Sequence, residues 1–178
     1  ILQKGPQLVD AGICNDQLFI NGVGIGFDGA IVHDLLGKKK RPGKATYLLS
    51  VLKHIFRFHE TGMQFKIGQD SFREETFMVS VANGKRYGGG FTVAPKACVQ
   101  DGLLDAMIVK KISAAARLRY LPHIERGDHL HLPFIQYHPT ASIIIETDKE
   151  VPAHMDGEYF RANRFEISCL PHHFSFLL

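Results

Sequence analysis

Met63–Ala82, MQFKIGQDSFREETFMVSVA, is the stretch that decides the fold class. Two runs rich in β-branched and aromatic residues, Met63–Ile67 and Phe72–Ala82, flank the spacer Gly68-Gln69-Asp70-Ser71. That is how two strands joined by a turn read. The texture continues downstream in Phe91–Ala94, Leu103–Val109, Ile135–Tyr137 with Ser142–Glu146, and Arg164–Leu170, separated by Gly, Asn, Asp and Pro. Upstream, Pro6–Cys14 and Leu18–Val23 are expected as strands joined across Asn15-Asp16-Gln17. Strands follow strands after residue 60, so the fold class expected is α+β, mainly β. A sandwich or distorted barrel fits this better than a doubly wound sheet.

Two or three helices complete the reading. Gly29–Leu36 carries a helical pattern. Ala45–Phe58 places Leu48, Leu49, Val51, Leu52, Ile55 and Phe56 against Thr46, Ser50, Lys53, His54 and Arg57, an amphipathic helix. Ser113 is the expected N-cap of a helix running to about Ile124. The 178 residues are 45% hydrophobic and 22% charged, the composition of an ordinary globular domain. A net charge of +3 is too small a bias to imply a nucleic-acid partner. Cys14, Cys98 and Cys169 are too few and too scattered for a disulfide framework or a zinc site, which points to a reducing compartment. No apolar run approaches the length of a membrane span.

Two phosphate-binding patterns are decoys. Gly24-x-Gly26-x-x-Gly29 follows a strand and precedes a helix, as a dinucleotide fingerprint does. The second parallel strand with its acidic end, expected about 20 residues on, is replaced by the amphipathic helix. A turn where backbone passes close to backbone is the preferred reading. Gly37-Lys38-Lys39-Lys40-Arg41-Pro42-Gly43-Lys44-Ala45 has five residues between its glycines and Ala45 where a P-loop needs Ser or Thr. The basic run reads as a solvated loop or, beside the amphipathic helix, as a contact for an anionic membrane surface.

Four short acidic or Gly-rich turns close apolar strands: Val9-Asp10-Ala11-Gly12, Asn83-Gly84 with Gly88-Gly89-Gly90, Asp101-Gly102-Leu103-Leu104-Asp105, and Asp156-Gly157-Glu158. Singly, each is an ordinary turn. Of the 10 histidines, His129-x-His131 and His172-His173 lack the partners of a usual metal spacing. They read as surface or packing residues, with His129 as a residue that orders its loop.

In this order the turns resemble the C-terminal domain of bacterial diacylglycerol kinase-like lipid kinases, relatives of sphingosine and ceramide kinases. The matching segments are VDAG, FINGVGIGFDG, ANGKRYGGGFTVAPKACVQDGLLD, the Arg126–His129 turn and MDGEYF. The resemblance implies a sandwich-like domain of the NAD kinase/diacylglycerol kinase architecture, with residues 1–178 forming that single domain. It also implies an N-terminal nucleotide-binding domain with a Gly-Gly-Asp-Gly-Thr loop, a segment not found in these residues. That domain would bind ATP, and this stretch alone would be inactive.

Transfer of a γ-phosphoryl group needs metal, in-line positioning and a carboxylate near the attacking hydroxyl. The resemblance makes Asp156 the candidate base and Glu158 its assistant. In an extended segment, positions i and i+2 share a face. Asp10 resembles an acidic residue in a carboxylate–water–Mg²⁺ network at the domain cleft. Asp101 resembles a ligand of a structural Mg²⁺, joined by the backbone carbonyls of Cys98 and Leu103; hard cations take such oxygens. Asp105 is expected at the surface or as a minor supporting group. The expected partners are a lipid alcohol, the chain's own nucleotide-binding domain, transient contact with the inner membrane face, and a homodimeric copy; the expected location is cytoplasmic. An NAD kinase-like domain and a non-catalytic lipid-binding module are the rival readings.

Overall fold

The computed structural model describes residues 5–36, 44–87 and 90–176. The basic run 37–43 and the pair Gly88-Gly89 singled out above lie outside them. The strands are β1 Gln7–Cys14, β2 Gln17–Phe19, β3 Gly22–Gly26, β4 Thr61–Ile67, β5 Asp70–Ala82, β6 Leu104–Lys110, β7 Ile135–Thr140, β8 Ser142–Met155 and β9 Glu158–Phe176. Three helices, α1 Phe27–Leu35, α2 Lys44–Arg57 and α3 Ala114–Arg126, interrupt them. Every strand pairing is antiparallel, in the order β2-β1-β9-β8-β3-β5-β6-β7, with β4 pairing both β5 and β8. The mainly-β, sandwich-like expectation holds.

The long strands β5 and β8 each take two partners in succession. At one end β3 lies between them, with Val23 opposite Val81 and Met155. At the other end β4 fills the same slot, with Phe65 opposite Phe72 and Ile145. The sheet closes on a core that includes Val23, Ile25, Phe65, Val81, Ile145 and Phe165. A second core lies beneath the helices, where Phe27, Ile31, Val51, Ile55 and Phe77 meet Met107. β6 shows why Ala106–Val109 reads as a continuous apolar run: Ala106 and Ile108 face the first core, Met107 and Val109 the second. A strand covered on both faces has no polar side to show.

Ser113 caps α3 as expected, its Oγ accepting the Ala116 N–H at 3.3 Å, and Gly127 ends the helix in the left-handed region at φ 82°. Arg117, buried on α3, donates from Nη1 to the Ile55 and Phe58 carbonyls at 2.8 and 3.0 Å. It also pairs with Glu60 and holds its guanidinium 4.3 Å from the Phe77 ring centroid. One side chain thereby satisfies carbonyls at the end of α2.

Some boundaries differ from expectation. Phe91–Ala94 is not a strand; Phe91 makes only an isolated bridge with Tyr87, because Thr92 donates instead to the Glu125 carbonyl of α3. Leu18–Val23 divides between β2 and β3. β8 runs through Asp148-Lys149-Glu150 to Met155, its register with β9 shifting between Glu146 and Val151. α1 starts at Phe27 rather than Gly29.

Candidate active site

Asp156 and Gly157 are the two-residue loop between β8 and β9, with Met155 opposite Glu158. Their φ values of 49° and 91° are positive, as the tight hairpin turn favoured by Asp-Gly requires. The segment is therefore a turn and not extended, so the same-face geometry expected for Asp156 and Glu158 does not apply. Asp156 turns its carboxylate onto the β2–β3 connection. Oδ2 accepts the Ile20 N–H at 2.7 Å, and Oδ1 accepts those of Asn21 and Gly22 at 3.0 and 2.8 Å. An ionised carboxylate offers about four lone-pair sites. Three are used here, which leaves about one for a further donor.

The turns singled out in the sequence come together through Asn83. Its Nδ2 donates to the Asp10 and Ile20 carbonyls, both at 2.8 Å, and its N–H donates to the Asn21 carbonyl at 2.9 Å. Asn83 is 1% exposed, and its Oδ1 has no hydrogen-bond partner among the described residues. Asp10 is fully buried. Its Oδ2 accepts the Gly102 N–H and its Oδ1 the His172 N–H, each at 2.8 Å, while its own N–H donates to Val99 at 2.7 Å. The second bond explains the break in β1–β9 register at Asp10: Pro171-His172-His173 bulges so that an amide reaches the carboxylate.

Asp101 is exposed, and its Oδ1 accepts the Leu103 N–H at 3.0 Å across Gly102, whose φ is 72°. Cys98 is exposed and Leu103 half-buried on the same loop. Asp105 is buried at 3% exposure, not at the surface, and accepts the Tyr137 hydroxyl. Burial pushes its carboxyl up, an effect the Tyr137 bond opposes. His129 is buried, with Nε2 3.1 Å from the Val93 carbonyl, and burial lowers its affinity for a proton.

The glycine motif is explained by packing. A Cβ on Gly24 would fall 2.4 Å from His154 Nε2 and 2.6 Å from Asp28 Oδ2; one on Gly29 would fall 2.4 Å from the Ala153 nitrogen. The glycines admit α1 against β8, the close backbone approach preferred over a dinucleotide site.

A cavity of about 270 Å³ opens beside the hairpin, bounded by Asn21, Asp28, Tyr47, Tyr87, His154 and Asp156. Asp28, Tyr47 and Tyr87 also border an apolar cavity of about 60 Å³ under the helices, with Val51, Phe77 and Val93 among its walls. The polar side chains at this junction were not anticipated. Asp28 lay hidden inside the glycine motif, and its partner His154 is 126 positions away.

Residues 21–178 match the family described as YegS C-terminal NAD kinase beta sandwich-like domain. A Chromohalobacter salexigens protein named "probable lipid kinase YegS-like" is 28% identical over 96% of this chain and 55% of its own length. A Bacillus subtilis diacylglycerol kinase is 27% identical over 85% of this chain and 50% of its own. A Bacillus anthracis structure assigned to the diacylglycerol kinases superposes with a TM-score of 0.74 at 26% identity, covering 97% of this chain and 56% of that one. The chain thus spans about half the length of the relatives it matches.

Proposed function

This chain belongs to the YegS-type lipid kinase family through its C-terminal beta sandwich-like domain, and on that premise we propose that it is the acceptor-side half of an ATP-dependent lipid kinase. The observation that carries this reading is the pair of adjoining cavities. The larger one carries Asn21, His154 and Asp156, and it shares Asp28, Tyr47 and Tyr87 with the apolar one. The head of a lipid alcohol matches that sequence of surfaces, with its hydroxyl at the hairpin and its first carbons toward the second core. Relatives named as lipid and diacylglycerol kinases favour a lipid acceptor over NAD.

In this reaction the acceptor oxygen attacks the γ-phosphorus of ATP as the bond to the bridging oxygen breaks and ADP departs. The lone pair left on Asp156 receives the attacking hydroxyl and aims it; the proton then passes to that carboxylate or to water. Glu158 assists from the other side of the turn. A nucleotide-binding domain preceding this one holds the ATP.

Magnesium, when bound, offsets phosphate charge. Asp10 would join a water-mediated Mg²⁺ network, and Asn83, whose amide nitrogen holds the Asp10 carbonyl, keeps a buried Oδ1 that has no partner among the described residues. Asp101 with the Cys98 and Leu103 carbonyls offers an all-oxygen set that suits a structural ion. Among the described residues no helix is long and apolar enough to cross a membrane. The exposed Leu49 and Phe56 on α2, seven residues apart and so on one face, are the surface through which the domain would touch a bilayer.

The test is γ-phosphoryl transfer by the full-length protein to diacylglycerol, a sphingoid base, ceramide and NAD. Transfer to at least one lipid, lost in Asp156→Asn, supports the reading. Transfer to NAD alone, or to none, overturns it.

A further inference from the structure

Asp28 and His154 form a buried acid–imidazole pair that the chemistry above does not use. α1 supplies Asp28 and β8 supplies His154; Oδ2 and Nε2 lie 2.9 Å apart, with the side chains 8% and 5% exposed. Only a glycine at position 24 leaves room for them. The Tyr47 hydroxyl also bonds to Asp28, and the Tyr87 ring stands 5.7 Å from that of His154. The other imidazole nitrogen faces the hairpin: Nδ1 accepts the Gly157 N–H at 3.4 Å. With Nδ1 accepting, the ring proton must sit on Nε2, where Asp28 receives it. The carboxylate therefore fixes the tautomer.

Gly157 adjoins Asp156, and both hold positive φ angles that leave little slack in the turn. We infer that Asp28 and His154 are positioning residues, which hold Gly157, and through it the carboxylate of Asp156, at the mouth of the acceptor cavity. This rests on the role proposed for Asp156. It also sets a pH dependence, because a proton on Nδ1 removes the acceptor for Gly157.

Burial opposes charging of His154, but the Asp28 carboxylate in contact with it, with Asp156 beyond, outweighs burial and raises its affinity for protons above that of an ordinary histidine. The other groups around it are His33 on α1, Tyr47 on α2, Tyr87 after β5, Glu158 across the hairpin and Tyr159 opposite it on β9, the last in ring contact with His33. β3 contributes only Gly24 at this point. Turnover should fall as pH drops through the His154 transition.

Full-length protein, assayed with Mg-ATP and vesicles containing diacylglycerol, tests this through two variants. His154→Gln keeps a donor toward Asp28 but loses the acceptor for Gly157; His154→Asn offers an amide oxygen to Gly157 and cannot titrate. The expected results are a kcat loss of about 10- to 100-fold for His154→Gln with the KM for ATP unchanged, and a kcat within a few-fold of wild type for His154→Asn with the acidic limb of its pH profile gone. Equal losses in both variants with the acidic limb intact would overturn the inference. Nitrogen-15 NMR of the same protein supplies a readout independent of activity: the Gly157 amide should titrate together with the His154 ring. A Gly157 amide indifferent to that titration would overturn the positioning contact even in an active enzyme. Absence of transfer to any lipid, with the two titrations coupled, would instead sink the kinase reading and leave the contact standing.

Discussion

The carboxylate of Asp156 accepts the amide of Ile20 at 2.7 Å, although the two residues lie 136 positions apart. An Asn side chain at position 156 would keep one oxygen for Asn21 and Gly22 but turn an amide group toward the Ile20 N–H. Asp156→Asn should therefore cut lipid kinase turnover by roughly 10²–10⁴ and also lower stability by about 1 kcal/mol. Glu158→Gln should be milder on both counts. Turnover at saturating substrate, with a circular dichroism melt of each variant, separates the two effects; near wild-type turnover in Asp156→Asn would reduce Asp156 to a turn residue.

Arg117 should be the most sensitive charged position in the core beneath the helices. Arg117→Ala leaves the half-buried Glu60 without this partner and uncaps the Ile55 and Phe58 carbonyls. A loss of about 3–5 kcal/mol is expected in urea denaturation. Arg117→Lys should recover only part of it, since an ammonium cannot span the same carbonyls and Glu60 together.

Gly24→Ala should cost about 3 kcal/mol, because the added methyl meets the buried Asp28–His154 pair at under 3 Å. Gly68→Ala is the control. Its φ is 59° but nothing lies within 4 Å, so only backbone strain of about 1–2 kcal/mol is expected. Equal losses in the two variants would show that the crowding at Gly24 is not what matters.

If Asp101 anchors a structural Mg²⁺, chelation should lower the melting temperature of the wild-type protein and leave Asp101→Ala unmoved, since a ligand stabilises only the state that binds it. Identical shifts on chelation in both proteins would remove the site.

Asp105 gives a pH signature. Burial raises its folded-state pKa above the unfolded value. The unfolded chain therefore loses this proton first as pH rises, and the folded state is penalised increasingly until its own transition is passed. Asp105→Asn should consequently be more stable than wild type near neutral pH, with the advantage shrinking as pH falls to the ordinary Asp range. Denaturation curves at several pH values would check the sign, and a constant difference across them would contradict it.

What the sequence disclosed was local. Ser113 announced the start of α3 because a cap acts three residues away, and the alternation in β6 was blurred only because both its faces are covered. The expected strand Ser142–Glu146 stops short of Asp148-Lys149-Glu150, since a polar run inside a strand looks like a loop until the register shift that absorbs it is seen. Resemblance marked Asp10 and Asp156, but not that Asp10 is buried or that Asp156 caps another turn. Those facts depend on His172 and Ile20, far away in sequence. Asp28 and His154 carried no signal alone, because their meaning lies in their meeting.

The slot between β5 and β8 has a consequence for the newborn protein. β3 is synthesised well over 100 residues before its partner in β8 and the Asp156 turn, and β1 must likewise wait for β9. Pairing across such separations is slow, because much of the chain must be ordered before any contact repays it. A nascent chain halted before Met155 would expose the unpaired edge of β3 and have no acceptor site. The hydrogen bonds that hold Asp156 are therefore made only after β3 has waited for most of the described strands to be synthesised.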